Sequence, residues 1–361
     1  MDAVGKVKII LEDYNMSDIS IATIGSHSAL QIFKGAREEG FRTVCIVEKG
    51  RDKLYKRFKL VDEFIYVDKL ADILDDKIQD KLRKLNCVVI PHGSFNAYID
   101  QAKMEEKFLV PLLGNRTLLK WETSRDLQRK WLKDAGLRVP KIYKKISDID
   151  GLVFVKFPGA RGGKGYFIVD SPEAYETKMQ DMINRGLVTE KVAKEPYIQE
   201  YIVGVSVYPH YFYSPLTGET EIIGIDKRYE SSVDGIDRIP VPEQLAAKIN
   251  PSFTIVGNFP MVVRESLLDK YFEMGEKIVD YSAKMAPPGA VGPFCLETIV
   301  TEDTELIAFE ISARIVAGCN AYIGLSPYTY LAYDEPMYMG KRIAREVKEA
   351  IKQSALEKVV T

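Results

Sequence analysis

Strand-like and helix-like hydrophobic patterns alternate along the first third of the chain. Residues 28–39 place apolar side chains at helical spacing and stop at Gly40, and residues at about 70–85 form a second helical stretch. Short apolar runs typical of strands precede and separate them, at residues 19–24, 43–47, 64–67 and 87–90. Because parallel strands need a crossover of helical length, this order predicts βαβ units and a parallel sheet.

Two of the predicted strands end in similar polar turns. Residues 25–28 (Gly-Ser-His-Ser) follow the first strand, and residues 91–94 (Pro-His-Gly-Ser) follow the last. In open α/β sheets ligands bind beyond the carboxyl ends of the strands, and N–H groups at a helix start attract phosphate. The turns therefore predict a phosphate or small-anion site, with ordinary turn and N-cap chemistry as the alternative. The first turn lacks the G-x-G-x-x-G pattern of NAD sites.

A glycine-rich segment follows a strand in the middle of the chain. Residues 152–158 are apolar except for Lys156, and residues 159–165 (Gly-Ala-Arg-Gly-Gly-Lys-Gly) come directly after them. Such a backbone can wrap phosphates closely, and a lysine inside an apolar strand needs an anionic partner. The segment is not a Walker A loop, because Pro158 and Gly165 occupy the positions of its first Gly and its Ser or Thr. A flexible hairpin tip is the alternative.

Two further segments flank this pattern. Residues 115–138 form a charged helical stretch that ends at Gly136 and predicts a join between two structural units. Residues 197–204 form an apolar strand that breaks at Gly204. The exposed backbone groups of such a break can read the edge of an adenine, although an ordinary strand end has the same pattern.

The most informative pattern is a pair of glutamates in two apolar runs. Residues 294–300 contain Glu297, residues 305–312 contain Glu310, and a polar turn separates the runs. If the turn centres on residues 303–304, the two carboxylates lie opposite each other, roughly 5 Å apart on one sheet face. Their repulsion is then about 3 kcal/mol at an effective dielectric near 20, which favours a bound cation such as Mg²⁺. Two glutamates on a solvated face are the alternative.

Composition narrows the possible classes. The 361 residues carry a formal net charge of -2 and 46% hydrophobic residues, which predicts two or three folded units and no nucleic-acid surface. No apolar run approaches the ~18 residues of a membrane span, and we expect no signal peptide. The four cysteines form no CxxC pair and indicate a reducing, cytoplasmic compartment. Three histidines without a His/Cys cluster argue against structural zinc.

The order of these features resembles the ATP-grasp superfamily over about residues 115–325. Longer stretches are similar to the formate-dependent FAICAR synthetases of archaeal purine biosynthesis, at residues 25–32, 91–95, 157–167 and 309–320. This resemblance spans essentially the whole chain. It implies that ATP phosphorylates formate and that the 5-amino group of AICAR attacks the formyl phosphate. The products are FAICAR, ADP and phosphate.

The resemblance also implies roles for individual residues. Lys156 and Arg314 are the implied catalytic residues, and Glu297 and Glu310 hold Mg²⁺, with Mn²⁺ as an alternative. The implied ATP contacts are Lys156, Gly159, Gly162, Gly163, Lys164, Gly165, Gln199, Glu200, Tyr201, Val203 and Glu230, with Glu200 positioned for a ribose hydroxyl. The implied AICAR contacts are His27, Ser94 and Asn258. Asn258 also fits a turn residue, and Glu230 a surface acid in a polar loop.

One departure from the superfamily concerns the metal site. The usual Glu-x-Asn-x-Arg motif is here Glu310-Ile-Ser312-Ala-Arg314. The asparagine commonly serves a second metal ion, so the sequence does not decide whether a second ion binds. Asn320 is a candidate replacement for the missing asparagine. The competing functions are another ATP-grasp carboxylate–amine ligase, such as an amino-acid or peptide ligase, and a nucleotide-binding regulator without catalysis.

The predicted fold class is α/β. An N-terminal parallel domain at residues 1–120 precedes an ATP-grasp fold, which has a small lid subdomain at 121–205 and a large α+β subdomain at 206–361. The expected partners are ATP, formate and AICAR, with no nucleic acid or membrane partner. We expect a homo-oligomer, because 20 Tyr and 15 Phe leave apolar surface for an interface.

Overall fold

The computed structural model describes residues 2–161, 164–193, 196–247 and 252–361. A parallel sheet forms the N-terminal part in the order β3-β2-β1-β4. Its strands are β1 (Ser20–Ile24), β2 (Arg42–Glu48), β3 (Glu63–Val67) and β4 (Cys87–Val89). The helices around it are α1 (Ala3–Glu12), α2 (Ala29–Glu38), α3 (Lys53–Phe58), α4 (Asp76–Lys84), α5 (Gly93–Tyr98) and α6 (Gln101–Lys107). The predicted βαβ order and parallel pairing are confirmed.

Two helices connect this sheet to the next one. They are α7 (Arg116–Glu122) and α8 (Arg125–Asp134), and they begin at Asn115 and Ser124, whose side chains accept hydrogen bonds from backbone N–H groups of the first turn. The chain leaves α8 through Gly136, whose φ of 83° is readily adopted only by glycine. The predicted helical join is therefore two short helices.

A second, antiparallel sheet has the order β5-β8-β6-β7. Its strands are β5 (Ile142–Tyr143), β6 (Val153–Arg161), β7 (Lys164–Val169) and β8 (Tyr197–Glu200), accompanied by α9 (Pro172–Asn184) and α10 (Glu190–Ala193). The glycine-rich segment is not a free loop, because β6 and β7 continue through Gly159 and Gly165 and pair at Arg161 and Lys164. Gly162 and Gly163 lie outside the described residues.

A third, larger sheet is antiparallel and has the order β11-β10-β9-β12-β13. Its strands are β9 (Val205–Ser214), β10 (Glu219–Ser232), β11 (Phe253–Pro260), β12 (Gly292–Val300) and β13 (Leu306–Ser312). The helices of this part are α11 (Val233–Ile236), α12 (Val241–Ala247), α13 (Glu265–Met285), α14 (Pro327–Tyr333) and α15 (Met339–Lys352). Short 3₁₀ turns lie at Met16–Asp18, Leu70–Leu74, Ile146–Asp148, Ala317–Tyr322 and Leu356–Lys358.

The large sheet has two chemically different faces because side chains alternate along each strand. One face is apolar and packs against α8 and α13, and its buried side chains include Tyr211, Ile225, Phe294, Leu296 and Ile311. The other face carries polar and charged side chains, among them Tyr208, His210, Asp226, Arg228 and Glu297. The polar face is the floor of the candidate site.

The N-terminal sheet and the large sheet share one hydrophobic core. Ile21 and Val88 of the N-terminal sheet, Phe212 of β9 and Ile343 of α15 belong to the same buried cluster. α15 approaches α2 closely, and a Cβ atom on Gly35 would overlap the backbone of α15. This packing places the carboxyl ends of β1 and β4 beside the polar face of the large sheet.

The domain boundaries at residues 120 and 205 stay a prediction. In the part of the chain that the structure describes, no helix is long and apolar enough to cross a membrane.

Candidate active site

The β12–β13 hairpin brings the two predicted carboxylates together. Glu297 and Glu310 are directly paired across the two strands, and a bulge follows Glu297. The turn between the strands includes Thr304, whose φ is 60°. The predicted register is therefore confirmed.

The two glutamates have different surroundings. Glu297 is buried and forms an ion pair with Arg228 of β10, whose guanidinium carbon also lies 4.2 Å from the ring centroid of Tyr208. Glu310 reaches open space on the same side of the sheet. The negative charge of Glu297, followed by desolvation, raises the pKa of Glu310 above its usual range. The pair thus holds more negative charge than Arg228 balances, which favours a cation.

A cavity of about 270 Å³ lies over this polar face. Glu297, Glu310 and Arg314 border it on one side. His27 borders it from the N-terminal sheet, and Asn258 borders it from β11. The structure therefore gathers metal, AICAR and catalytic candidates from distant parts of the sequence into one space.

The two polar turns of the N-terminal sheet meet at this cavity. Ser94 Oγ donates to Ser26 Oγ at 2.8 Å, and the rings of His27 and His92 stack at a centroid distance of 5.3 Å. A side chain on Gly93 would collide with the ring of His27. The two matching turns thus lie side by side, while the anion site predicted from them stays a prediction.

The surroundings of His27 and His92 lower the pKa of both rings. Burial, with smaller contributions from the charges of His92 and Arg314, lowers the pKa of His27 to about 3. Burial also lowers the pKa of His92 to about 4, and its ring bonds the carbonyl of Ile24 and the N–H of Ser94. His92 is therefore fully engaged in holding the turn, and of these two histidines only His27 borders the cavity.

Arg314 is held in place by Glu122 of α7, with 2.8 Å between Arg314 Nη2 and Glu122 Oε1. Its neighbour Ile315 forms a parallel bridge with His92, which brings the arginine beside the two histidines. Arg314 Nε is buried and has no hydrogen-bond partner among the described residues. The arginine is thus fixed at the cavity with an unused donor.

The predicted replacement for the missing metal-site asparagine is wrong. Asn320 Oδ1 accepts a hydrogen bond from Gln31 at 2.6 Å, and Asn320 does not border the cavity. Ser312 does border it. Across the described ranges, no group of three or more His, Cys, Asp or Glu side chains is arranged to hold a metal ion.

A second cavity, of about 320 Å³, lies between the antiparallel sheet of β5–β8 and the large sheet. Lys156, Gln199 and Glu310 border it, together with Arg125 and Arg129 of α8. Burial, and to a lesser degree the charge of Arg125, lowers the pKa of Lys156, while Glu310 opposes this shift. Glu310 therefore borders both cavities.

A smaller, mostly apolar cavity of about 160 Å³ adjoins the predicted hinge. Phe154, Ile299, Phe309 and residues 199–202 border it, so that a flat aromatic base fits between the two sheets. Val203 faces a neighbouring open groove instead.

The Glu200 carboxylate is already engaged. It pairs with Arg138, 2.9 Å from Nη2, and accepts a hydrogen bond from the Lys141 N–H at 2.7 Å. A ribose hydroxyl bound by Glu200, as predicted, would therefore share the carboxylate oxygens with Arg138 and Lys141.

Two candidates occupy different elements from those expected. Asn258 lies within strand β11, opposite Arg228 of β10, and not in a turn. Glu230 lies within strand β10 and not in a loop, and burial raises its pKa. Because both residues lie in strands, the pleat of the sheet sets the side on which each side chain lies.

Several cavity residues were not found by sequence reasoning. They are Arg125, Tyr208, His210, Asp226 and Arg228. Alternation gives no signal for the residues of β10, because Lys227 stands between Asp226 and Arg228 and three consecutive positions are charged. Choosing the ligand-facing side of that strand requires the pairing order of the sheet, which the sequence does not supply.

Comparison with known proteins decides the family. The 5-formaminoimidazole-4-carboxamide-1-(beta)-D-ribofuranosyl 5'-monophosphate synthetase of Methanocaldococcus jannaschii is 52% identical over 352 residues, which cover 98% of each chain. The chain belongs to this family of FAICAR synthetases. Two family models also match the chain. DUF1246, described as a protein of unknown function, matches residues 21–143, and DUF1297, described as a domain of unknown function, matches residues 174–361.

Solved structures agree with this family and extend the fold comparison. The crystal structure of an IMP biosynthesis protein PurP from Thermococcus kodakaraensis matches with a TM-score of 0.74 and 33% identity, covering 94% of this chain and all of that one. The biotin carboxylase domain of Hydrogenobacter thermophilus 2-oxoglutarate carboxylase, solved with MgADP and bicarbonate, matches with a TM-score of 0.58 at 14% identity, covering 90% of this chain and 69% of that one. The FAICAR synthetase chain therefore has an ATP-grasp fold.

Proposed function

We propose that this chain makes FAICAR from AICAR, formate and ATP, through formyl phosphate, as a step of purine biosynthesis. The observation that carries the proposal is the pair of cavities that share Glu310 as a lining residue. Glu310 borders both the cavity with Lys156 and the cavity with His27 and Asn258. A phosphoryl donor in one and an amine acceptor in the other would meet at the glutamate pair.

The glutamate pair fits a magnesium site. Two carboxylates on one sheet face supply hard oxygen ligands, and the raised pKa of Glu310 reflects charge that a cation would relieve. Mg²⁺ typically takes one or two protein carboxylates and completes its shell with water and substrate phosphates. When bound, Mg²⁺ would neutralise charge on the transferring phosphoryl group; Mn²⁺ suits the same oxygen ligands.

The nucleotide is assigned to the space between the second and third sheets. The apolar cavity beside residues 199–202 takes the adenine, and Lys156 and Arg125 face the phosphates from the adjoining cavity. The glycine-rich hairpin, including Gly159, Lys164 and Gly165, covers the phosphates. Glu230 completes the ATP site. These assignments agree with a family in which phosphoryl transfer depends on positioning and charge neutralisation.

AICAR is assigned to the cavity over the polar face of the large sheet. His27, Ser94 and Asn258 hold it, with the Gly/Ser/His turns around the ribonucleotide phosphate. The lowered pKa of His27 favours the neutral ring, which can donate one hydrogen bond and accept another. Arg314, fixed by Glu122, stabilises the negative charge that develops on the formyl phosphate.

A drop-out assay tests this function. Purified protein is incubated with Mg-ATP, formate and AICAR, and each component is omitted in turn while ADP and FAICAR are measured. FAICAR that appears only with all three supports the proposal. ADP release driven by another amine would favour a different carboxylate–amine ligase. ADP release without any acceptor would count against both ligase functions.

The non-catalytic alternative is less well supported by the site. A regulator that only binds ATP needs neither a fixed arginine at the acceptor cavity nor a glutamate that borders both cavities. Nucleotide binding without ADP formation under any acceptor would favour that alternative.

We further propose that the chain self-associates along β11. β11 is the edge strand of the described large sheet, and Val256 and Phe259 are 61% and 54% exposed. Exposed apolar patches of this kind often mark protein interfaces. Light scattering after size exclusion tests this, and V256E is expected to reduce the mass of the particle. A monomeric native protein would contradict it.

A further inference from the structure

A buried histidine–aspartate pair on the polar face of the large sheet has no role in the chemistry described so far. His210 lies on β9 and Asp226 on β10, and only 1% and 2% of their side chains are exposed. His210 Nε2 lies 2.7 Å from Asp226 Oδ1. Both residues border the cavity assigned to AICAR.

Asp226 fixes two neighbours at once. Its Oδ2 accepts a hydrogen bond from Asn258 Nδ2 at 2.6 Å, while its Oδ1 faces His210. A side chain on Gly318 would overlap the Asp226 carboxyl group, so the carboxyl group has no room to turn on that side. Because both carboxylate oxygens accept, His210 carries its proton on Nε2 and Asn258 presents its Oδ1 away from Asp226.

The remaining nitrogen of His210 has no partner. His210 Nδ1 is buried and forms no hydrogen bond within the described parts of the chain. Buried polar atoms of folded proteins are nearly always paired, so the orphaned nitrogen of a side chain that borders the cavity indicates a ligand atom, which reaches it when neighbouring side chains shift to admit the ligand. With Nε2 protonated, Nδ1 is an acceptor, and the free Asn258 Oδ1 is a second acceptor nearby. Two acceptors suit an N–H donor such as an amine.

We propose, resting on the function above, that His210 is the catalytic base for the acceptor amine and that Asp226 is its positioning residue. The amino nitrogen of AICAR forms a bond to the formyl carbon, and the bond from that carbon to the phosphate oxygen breaks. The electron pair of the broken bond leaves with the phosphate. One proton passes from the amino nitrogen to His210 Nδ1, and then to the departing phosphate or to water. Atoms and charge balance without a further reactant.

This arrangement separates the two halves of the reaction. Lys156, Arg125, Arg314 and the glutamate pair serve the phosphoryl transfer that activates formate. His210 and Asp226 serve only the later attack by the amine. A variant of the pair should therefore slow FAICAR formation without slowing ADP formation to the same extent.

H210Q is the test variant, because the glutamine amide can still donate to Asp226 while the basic nitrogen is lost. Single-turnover reactions contain excess enzyme, Mg-ATP, formate and AICAR, and ADP and FAICAR are followed together. We expect FAICAR formation to fall by about 10²-fold or more, with ADP formation within about threefold of the native rate. D226N is expected to show the same separation with a smaller loss.

Y333F is the matched control. Tyr333 is half-buried, donates a hydrogen bond to Glu221 at 2.6 Å and borders neither cavity. Its loss should leave both rates native. An H210Q protein that keeps the native FAICAR rate, or that loses ADP and FAICAR formation equally, would overturn the inference. A native protein that makes no FAICAR would instead refute the proposed function.

A second measurement covers the case in which H210Q does not fold. The chain has only three histidines, so ¹⁵N-imidazole NMR of the native protein resolves His210. We expect its Nδ1 signal to be that of an unprotonated nitrogen and to shift when AICAR is added. A protonated Nδ1, or a signal that AICAR leaves unchanged, would contradict the inference.

Discussion

The two faces of the large sheet show how one set of strands serves both stability and chemistry. Leu296 and Glu297 are neighbours on β12, yet Leu296 is buried among the side chains of the apolar cluster and Glu297 borders the cavity that we assign to AICAR. The apolar face packs against α8 and α13. The polar face carries buried charges and an unpaired histidine nitrogen, which do not favour folding by themselves. The difference indicates that the second face is maintained for ligands.

The largest expected effect comes from the polar face. E310Q should lower kcat for FAICAR formation by about 10³-fold, because it removes a metal-binding carboxylate, while the melting temperature stays the same or rises as repulsion with Glu297 is relieved. E305Q is the matched control from the same hairpin, where Glu305 is exposed and pairs with Arg138 at 3.5 Å. A native kcat in E310Q would remove this residue from the metal site.

The apolar face should respond in the opposite way. L296A should lower the free energy of unfolding by about 2–5 kcal/mol, since it leaves a cavity in a packed cluster. Its kcat per folded molecule should stay close to native. Denaturant unfolding and steady-state kinetics measure the two quantities separately. A loss of kcat in well-folded L296A would show that the two faces are not independent.

A smaller effect is expected at the turns of the N-terminal sheet. H27A should raise KM for AICAR about tenfold, the equivalent of one lost hydrogen bond, and leave KM for ATP near its native value. Initial-rate kinetics with each substrate varied in turn provide the measurement. Equal changes in both constants would place His27 outside the AICAR site.

The smallest effect concerns pH. The folded-state pKa of Glu310 lies above its ordinary value of 4.5. Folding is therefore favoured most below pH 4.5, where Glu310 is protonated in both the folded and the unfolded chain. This stabilising contribution is lost as pH rises toward the folded-state pKa. The metal-free protein should therefore lose some stability between acidic and neutral pH, and this slope should be weaker in E310Q. Thermal melts across this range would contradict the account if both proteins had the same slope.

Much of this organisation can be predicted from sequence. Hydrophobic spacing predicted the parallel order of β1–β4, and the apolar runs around Glu297 and Glu310 predicted their register, because both depend on local periodicity. Relationships between distant strands could not be predicted. The hydrogen bonds of Asp226 to His210 and Asn258 join three strands whose order depends on the folded sheet.

Local context also misled some assignments. Asn258 resembled a turn residue because Gly257 and Pro260 flank it, yet long-range pairing with β10 holds it in a strand. Asn320 resembled a metal ligand because it lies close in sequence to Glu310. In the structure its side chain instead forms a hydrogen bond with Gln31 of α2. In both cases contacts between distant parts of the chain override the local pattern.

The central claim is that formate is activated by phosphoryl transfer before AICAR attacks it. The most direct test uses formate labelled with ¹⁸O, together with Mg-ATP and AICAR, and mass spectrometry of the released phosphate. The account predicts one ¹⁸O atom in each phosphate formed with FAICAR, since a formate oxygen becomes the bridging oxygen of formyl phosphate. Unlabelled phosphate released in step with FAICAR would contradict it.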